Sequence, residues 1–154
     1  MTVYGKMTTK GYVNTSDQLL EGEQLGTSVI LTYTAPTAPP SGGVGLQMGC
    51  EGLSCRIGRT GYTAPCSGSI VAIGLSLDAV SGGGSCSINV FVNTATKFSL
   101  PFTTASALGQ VFYISQARDV GTFVEDDIIG ANISTSSPNT LTNIIVTVVV
   151  MLDG

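Results

Sequence analysis

The sequence has 154 residues, of which only 10% are charged, and its formal net charge is −4. This length suits one domain with a core of its own, whereas an ordinary globular chain carries about 25% charged residues. The six basic residues are scattered, so they do not provide the clustered phosphate contacts that nucleic-acid binding requires. No apolar run approaches the roughly 18 residues of a membrane helix. A charge-poor surface favours coverage by other subunits.

The first predicted element is an extended N-terminal arm, residues 1–24. It contains no apolar signal-peptide core, and within it residues 16–25 suggest at most one helical turn. Such a composition is typical of disordered tails, but we interpret the segment as an arm that packs on a neighbouring subunit. Its side chains are spaced too widely to form a core. The candidate contact residues are Tyr4, Met7, Tyr12, Leu19 and Leu20.

The remaining residues, 25–154, are predicted to form one β-sandwich domain. Residues 27–33 and 44–48 suggest strands, and a Pro- and Gly-rich break at 34–43 lies near them. Residues 69–80 alternate between large apolar and small side chains, as a strand does, and residues 86–93 repeat this pattern. The Gly-rich residues 81–85 between these two strands predict a hairpin connection. The residues predicted to face inward are Val71, Ile73, Leu75 and Leu77 in the first strand and Cys86, Ile88, Val90 and Val92 in the second.

Three more strands are predicted in the last third of the chain. Residues 110–117 are aromatic and β-branched, and residues 127–135 include Gly130, which suggests a bulge or a close neighbour. Residues 141–152 are apolar on both faces, which is typical of a strand in the middle of a sheet. Short strands punctuated by Gly, Pro and Ser predict an all-β fold, a jelly-roll-like antiparallel β-sandwich. Residues 66–152 are its best-defined part.

The inventory of reactive side chains argues against an enzyme. The chain has no His, so a Ser-His-Asp or Cys-His arrangement and a His-bound catalytic metal are excluded. Paired carboxylates could hydrolyse a glycosidic bond, but such pairs normally come from different elements several ångströms apart. We predict no catalytic residue and no cofactor.

The four cysteines do not have zinc-ribbon spacing, because no C-x₂-C pair is present. Cys86 lies on the predicted inward face of its strand and is interpreted as a small buried hydrophobe. Cys50 could bridge to Cys55 or to Cys66 across a Gly-rich loop. A disulfide would form after the protein leaves a reducing cytosol, and the sequence leaves the pairing open.

Three adjacent carboxylates, Glu125, Asp126 and Asp127, interrupt this charge-poor sequence. They stand where a polar loop enters the strand at 127–135, which is where turns place polar residues. Calcium is the alternative, since Ca²⁺ prefers clustered carboxylates. Its loops usually space their ligands at alternate positions with a bending Gly, and that spacing is missing. We predict a structural turn without a metal.

The sequence resembles the small β-sandwich domains of tailed-bacteriophage virions. These domains combine an aliphatic strand that begins with Gly, a strand ending in an Asn-Gly hairpin, and an F-x-x-G-D turn that enters a late strand. The chain departs from them at Thr94 and Asp126, where Gly is typical, but Asp tolerates left-handed backbone better than most residues. The matching residues are Gly68, Ile70, Ile73 and Leu77, then Val90, Val92 and Asn93, and finally Phe123, Asp127 and Ile129.

This resemblance implies a capsid decoration (cement) protein that binds the major capsid protein lattice as a homotrimer. Such a protein is made in the host cytoplasm and resides on the capsid surface, with no nucleic-acid or membrane partner. The alternative is a tail or fibre adhesin that recognises a host-surface glycan or protein. A third alternative, a weak glycoside hydrolase on the same fold, depends only on the acidic residues. The absence of Trp lowers both carbohydrate-directed alternatives.

Overall fold

The computed structural model describes residues 27–37, 42–48, 61–77, 79–81, 84–103, 111–135 and 140–153. These residues form two antiparallel sheets that share one hydrophobic core, so the prediction of an all-β sandwich is confirmed. The described ranges contain no helix. The predicted arm and the helical turn at 16–25 lie outside them.

The described residues contain twelve strands, which make up the two sheets. In chain order they are β1 (Thr27–Thr37), β2 (Gly42–Gly45), β3 (Gln47–Met48), β4 (Tyr62–Thr63), β5 (Gly68–Ser76), β6 (Ala79–Ser81), β7 (Ser85–Val92), β8 (Ala95–Thr103), β9 (Val111–Ser115), β10 (Gly121–Phe123), β11 (Ile128–Thr135) and β12 (Thr140–Leu152). The first sheet has the order β10-β5-β12-β1-β3, with β9 also paired to β5 and β6 to β12. The second sheet has the order β2-β11-β7-β8, with β4 also paired to β11.

Several short strands share one position in a sheet. Strands β9 and β10 lie one after the other along one side of β5. In the same way, β5 and β6 share one side of β12. Strands β2 and β4 share one side of β11. Counted by position, each sheet therefore has four main strands, and β3 is an addition beside β1. Apart from the β7–β8 hairpin, the main strands that pair are not consecutive in the chain, and the connections cross between the two sheets. This is the double Greek-key arrangement of a jelly roll.

The core lies between the sheets and is built mainly from the aliphatic residues Ile, Val and Leu. Strand β12 occupies the middle of the first sheet, as predicted, with β1 on one side and β5 on the other. Its inward residues Ile144, Val146, Val148 and Val150 are fully buried. One polar contact crosses the core, where the Tyr33 hydroxyl donates to the Ile129 carbonyl oxygen at 2.7 Å. Burial raises the pKa of Tyr33, so it remains a neutral donor.

Strand β5 differs from the predicted alternation at its start. Val71 was predicted to face inward but is only half-buried, and Ile70 is fully buried instead. The ladder with β12 skips Val71, because Ala72 pairs with Val149 and Ile70 with Val150. A bulge of this kind shifts the side-chain alternation by one residue. The Gln116 side-chain amide donates to the Ile70 carbonyl oxygen at 2.7 Å, which gives this backbone oxygen a partner.

Two connections also differ from the predictions. Residues 81–85 were predicted to form a hairpin, but β5 belongs to the first sheet and β7 to the second, so the chain crosses the sandwich here. The predicted strand at 44–48 is divided in the same way, with β2 in the second sheet and β3 in the first. The buried Leu46 stands at this corner, and its N–H donates to the Ala131 carbonyl oxygen at 2.8 Å. A turn-rich sequence marks a chain reversal but does not say which sheet the chain enters next.

Gly130 does not have the role predicted for it. The pairing of β11 with β7 runs without interruption through Gly130, which lies opposite Phe91. A Cβ atom placed on Gly130 would have no neighbour within 4 Å. The prediction of a bulge or a close neighbour at this glycine is therefore wrong.

Candidate interaction face

The outward side of the first sheet carries a continuous surface without charge. Strand pairing aligns its side chains in three transverse rows across β1, β12, β5 and β9. We call these twelve residues the first-sheet face. The rows are Thr34, Ile145, Ser76 and Val111; Thr32, Thr147, Gly74 and Tyr113; and Ile30, Val149, Ala72 and Ser115.

Four large apolar side chains project from this face into solvent. Their exposed fractions are 67% for Ile30, 78% for Val111, 67% for Tyr113 and 45% for Ile145. The residues around them are small or carry hydroxyl groups. Single exposed apolar residues are normal on protein surfaces, but a group of them on one flat, uncharged surface is typical of an interaction site.

The outward side of the second sheet has a different chemistry. Asn89 on β7 lies between Asn132 on β11 and Ser99 on β8. Its amide nitrogen donates to the Asn132 side-chain oxygen and to the Ser134 hydroxyl, both at 3.0 Å. Its amide oxygen accepts from the Ser87 hydroxyl at 2.8 Å and from the Ser99 hydroxyl at 2.9 Å. We call these five residues the amide cluster. All four hydrogen-bonding positions of the Asn89 amide are used within the chain, which stabilises the fold.

The three adjacent carboxylates lie where β10 passes into β11. The Asp127 N–H donates to the Val124 carbonyl oxygen at 3.2 Å, which closes a turn over residues 124–127. Asp126 has a φ of 68°, in the third position of this turn, where type II turns require positive φ. The left-handed backbone that the sequence predicted for Asp126 is therefore present. Glu125 and Asp126 project into solvent.

Asp127 ties this turn to the hairpin between β7 and β8. Its carboxylate accepts from the Val124 N–H at 2.8 Å and from the Asn93 side-chain amide at 2.7 Å. Asn93 in turn accepts from the Ile128 N–H at 3.0 Å through its side-chain oxygen. The Val124 and Asn93 hydrogen bonds hold the pKa of Asp127 below its ordinary value, with a smaller contribution from Lys97. The carboxylate is therefore ionised and already engaged within the chain.

An open groove of about 410 Å³ lies beside this turn, with Asn93, Lys97, Phe123 and Asp127 among its lining residues. The polar groups of Asn93 and Asp127 that border it are hydrogen-bonded to each other and to backbone. Among the residues that the structure describes, no three His, Cys, Asp or Glu side chains are grouped to hold a metal ion. The assignment of residues 125–127 to a turn without a metal stays a prediction.

Several sequence-based candidates lie outside the described ranges. They are the arm residues Tyr4, Met7, Tyr12, Leu19 and Leu20 and the cysteines Cys50 and Cys55. Cys86 is buried, as predicted, and Cys66 is half-buried. Cys66 is a thiol in the structure, and the pairing of Cys50 and Cys55 lies outside the described residues. No helix in the described part of the chain is long and apolar enough to cross a membrane.

The exposed residues of the first-sheet face were not predicted individually. Because residues 141–152 are apolar on both faces, the sequence predicts a central strand, and the structure confirms it. The same pattern also indicates an exposed apolar surface, which the sequence analysis did not infer. A second apolar face on a sandwich strand points away from the core, so Ile145 had to lie on an outer surface.

Comparison with known proteins supports the fold without identifying a family. No protein-family model matches the sequence, and no curated protein matches it either. The PRD1 vertex protein P5 aligns over 97% of this chain and 85% of its own, with a TM-score of 0.51 and 14% identity. At that identity the likeness shows a common fold and nothing more.

Two further capsid structures align less well. A chain of the cyanophage Pam1 capsid asymmetric unit gives a TM-score of 0.43 at 12% identity, covering 82% of this chain and 86% of its own. A chain of the infectious bursal disease virus Gx strain gives 0.45 at 12% identity, covering 89% and 36%. Neither score is high enough to support an argument about function.

Proposed function

We propose that this chain is a structural protein of a virus particle, a capsid decoration protein that binds the major capsid protein as a homotrimer. The observation that carries the proposal is the first-sheet face, a flat surface of twelve uncharged residues on a jelly-roll sandwich. The jelly roll is a common architecture of viral capsid proteins, although lectins and cupins share it. The resemblance to tailed-bacteriophage virion domains adds the specific role of decoration.

The chemistry of the first-sheet face suits permanent association. If Ile30, Val111, Tyr113 and Ile145 are buried against other subunits, each contributes roughly 1.5–3 kcal/mol before ordering costs. The interior of a subunit interface is depleted of charge, and this face has none. The threefold positions of a capsid lattice then favour a closed homotrimer.

The described residues offer little to an adhesin. Protein surfaces that bind glycans usually present exposed aromatic rings, and Tyr113 is the one aromatic residue among the exposed large hydrophobics of the described ranges. The amide cluster has polar groups of the kind that bind glycans, but the Asn89 amide is already fully hydrogen-bonded to neighbouring side chains. We therefore favour decoration over recognition of a host glycan.

The described basic residues also argue against nucleic acid as a partner. Arg118 forms an ion pair with Asp153, and Lys97 is exposed on β8 beside the acidic turn. These two residues do not form a basic patch. No catalytic role is proposed for any residue of the chain.

Sedimentation and particle binding test the proposal together. We expect the purified protein to sediment at three times its chain mass of 15.7 kDa at micromolar concentration. It should bind to purified capsids that lack it, and it should not bind to isolated tails. A monomer that fails to bind capsids, or one that binds only tails, would contradict the proposal.

A further inference from the structure

The edges of the two sheets differ in how they are protected against pairing with another chain. A sheet edge presents unpaired N–H and C=O groups, so proteins usually shorten it, interrupt it, or place Lys, Pro or a bulge on it. Three of the four edge positions in this sandwich show such protection. The fourth, the free side of β1 at residues 27–32, does not.

The second sheet is protected at both edges. Strand β8 carries the exposed residues Lys97 and Pro101, and its pairing with β7 shifts register where Val90 lies opposite Phe98. The opposite edge is divided between β2 and β4, which have four and two residues. A continuous partner strand has no long, flat backbone to pair with at either edge.

One edge of the first sheet is protected in the same way. It is divided between β9 and β10, which have five and three residues. Between them the chain turns at residues 118–120, and Asp119 has a φ of 70°. The short lengths and this left-handed residue interrupt the edge.

Residues 27–32 of β1 lack these protections, whereas the later part of the strand contains Pro36 and pairs with β3. The strand is 11 residues long, and on its free side the described part of the chain pairs only Tyr33 and Thr34, with β3. Residues 27–32 read TSVILT, without Lys, Pro, Gly or any charge. Their pairing with β12 continues without a register shift, so the strand is regular and rich in residues that favour pairing.

We propose that the free edge of β1, at residues 27–32, accepts an added strand from the N-terminal arm of a second copy of this chain. The inference rests on the self-association in the proposed function and names the surface and segment that produce it. The occupant follows from chain length and position. The arm lies just before Thr27, at the end of this same edge, and the 26 residues before Thr27 extend at most about 94 Å.

That reach is enough to cross from one copy to the next. A sandwich of this size has a radius of gyration of roughly 14 Å, so an extended arm spans a whole neighbouring domain. The arm also has a composition suited to a strand, because residues 2–15 are rich in Thr, Val, Tyr and Met. Each copy would give an arm and receive one, which closes a ring of three.

Hydrogen exchange of the β1 amides tests the pairing directly. Alternate N–H groups of residues 27–32 point away from β12, and they exchange rapidly unless a partner strand covers them. In the full-length protein at high concentration we expect these amides to exchange at least about a hundredfold more slowly than after dilution to monomer. The β8 amides serve as an internal control and should not change with dilution.

A pair of arm variants identifies the occupant. Thr8→Pro with Val13→Pro removes two backbone donors and blocks strand pairing, while Thr8→Ala with Val13→Ala retains the backbone donors. We expect the proline variant to lose the protection of residues 27–32 and to sediment as a monomer, and the alanine variant to behave as the parent. Unchanged β8 exchange shows that the sandwich is folded in both.

Three results would overturn the inference. The first is rapid exchange of the outward β1 amides in the assembled protein. The second is protection that survives dilution, which means that each arm covers its own strand. The third is protection that survives the proline substitutions, which assigns the edge to another segment. No capsid is used, so a protein that exchanges arms yet never binds particles contradicts only the decoration role.

Discussion

The two outer faces of the sandwich use their side chains in opposite ways. On the second sheet, the polar side chains of the amide cluster are hydrogen-bonded to one another. Asn132 is only 8% exposed although its side chain lies on the outward side of the sheet. On the first sheet, the apolar side chains of Ile30, Val111, Tyr113 and Ile145 remain exposed to solvent. One face is chemically complete in a single chain, whereas the other gains stability only when something covers it.

This difference separates fold stability from assembly. A substitution in the amide cluster should lower the stability of each sandwich and leave association unchanged. A substitution on the first-sheet face should weaken association and leave the sandwich intact. The predictions below test this separation, beginning with the largest expected effect.

Ile145→Lys should weaken the proposed trimer by roughly ten- to hundredfold. The change removes about 1.5–3 kcal/mol of apolar burial, and each 1.4 kcal/mol is a factor of ten in an equilibrium constant. The melting temperature at concentrations where the parent is also monomeric should hardly change, because Ile145 is 45% exposed in the chain. Sedimentation equilibrium over a concentration series measures the shift.

The matched control is Thr96→Lys, which adds the same charge to an exposed position on the second sheet. It should assemble like the parent. If both lysine variants dissociate equally, net charge rather than the first-sheet face governs assembly, and the comparison between the faces fails.

Asn89→Leu should destabilise the monomeric fold by about 1–3 kcal/mol, because it leaves the Asn132 side-chain oxygen without its donor. For a domain of this size the loss lowers the melting temperature by roughly 3–10 °C. Thermal unfolding followed by circular dichroism measures it, with Thr96→Ala on the same face as the control. A variant that melts like the parent but dissociates would place the assembly contact on the second sheet.

Asp126→Ala should cost about 1 kcal/mol, because alanine is strained at a φ of 68°. Asp126→Gly should be neutral or slightly stabilising, since glycine adopts this conformation freely. Chemical denaturation of the two variants gives the difference. Equal stabilities would mean that the turn relaxes away from positive φ when the side chain is shortened.

Lowering the pH should produce the smallest change in the stability of the fold. The pKa of Asp127 is depressed in the folded chain, so its contribution to stability is complete above the unfolded value of about 4 and is lost as the pH falls below it. Asp127→Asn should therefore be less stable than the parent at pH 7, and the gap should narrow toward pH 3. A gap that is constant with pH would mean that the charge of Asp127 contributes nothing.

The sequence predicted the core of the sandwich better than its connections and surfaces. The alternation of Ile88, Val90 and Val92 is correct because a two-residue period fixes which side chains face inward. Val71 was misplaced because a bulge in β5 depends on how β5 meets β12, which the local pattern does not contain. The crossing at 81–85 was missed for a related reason, since glycine allows a reversal in any direction.

The acidic turn and the first-sheet face also differ in how far the sequence predicts them. The left-handed Asp126 was expected because the resemblance to phage virion domains places Gly at this position, and Asp tolerates the same conformation. Ile30 and Tyr113 could not be assigned to one surface, because they are brought together only by the pairing of β1, β12, β5 and β9. Local conformation is predictable from the sequence here, while a surface shared by four strands requires the topology.

Electron cryo-microscopy of virus particles that carry this chain, which the proposed function requires, tests the central claim most directly. The decoration account predicts density for three sandwiches around threefold positions on the outer capsid surface, with the first-sheet faces buried against neighbouring copies or the major capsid protein. Density confined to the tail or its fibres, or capsid-bound sandwiches whose first-sheet faces point into solvent, would contradict it.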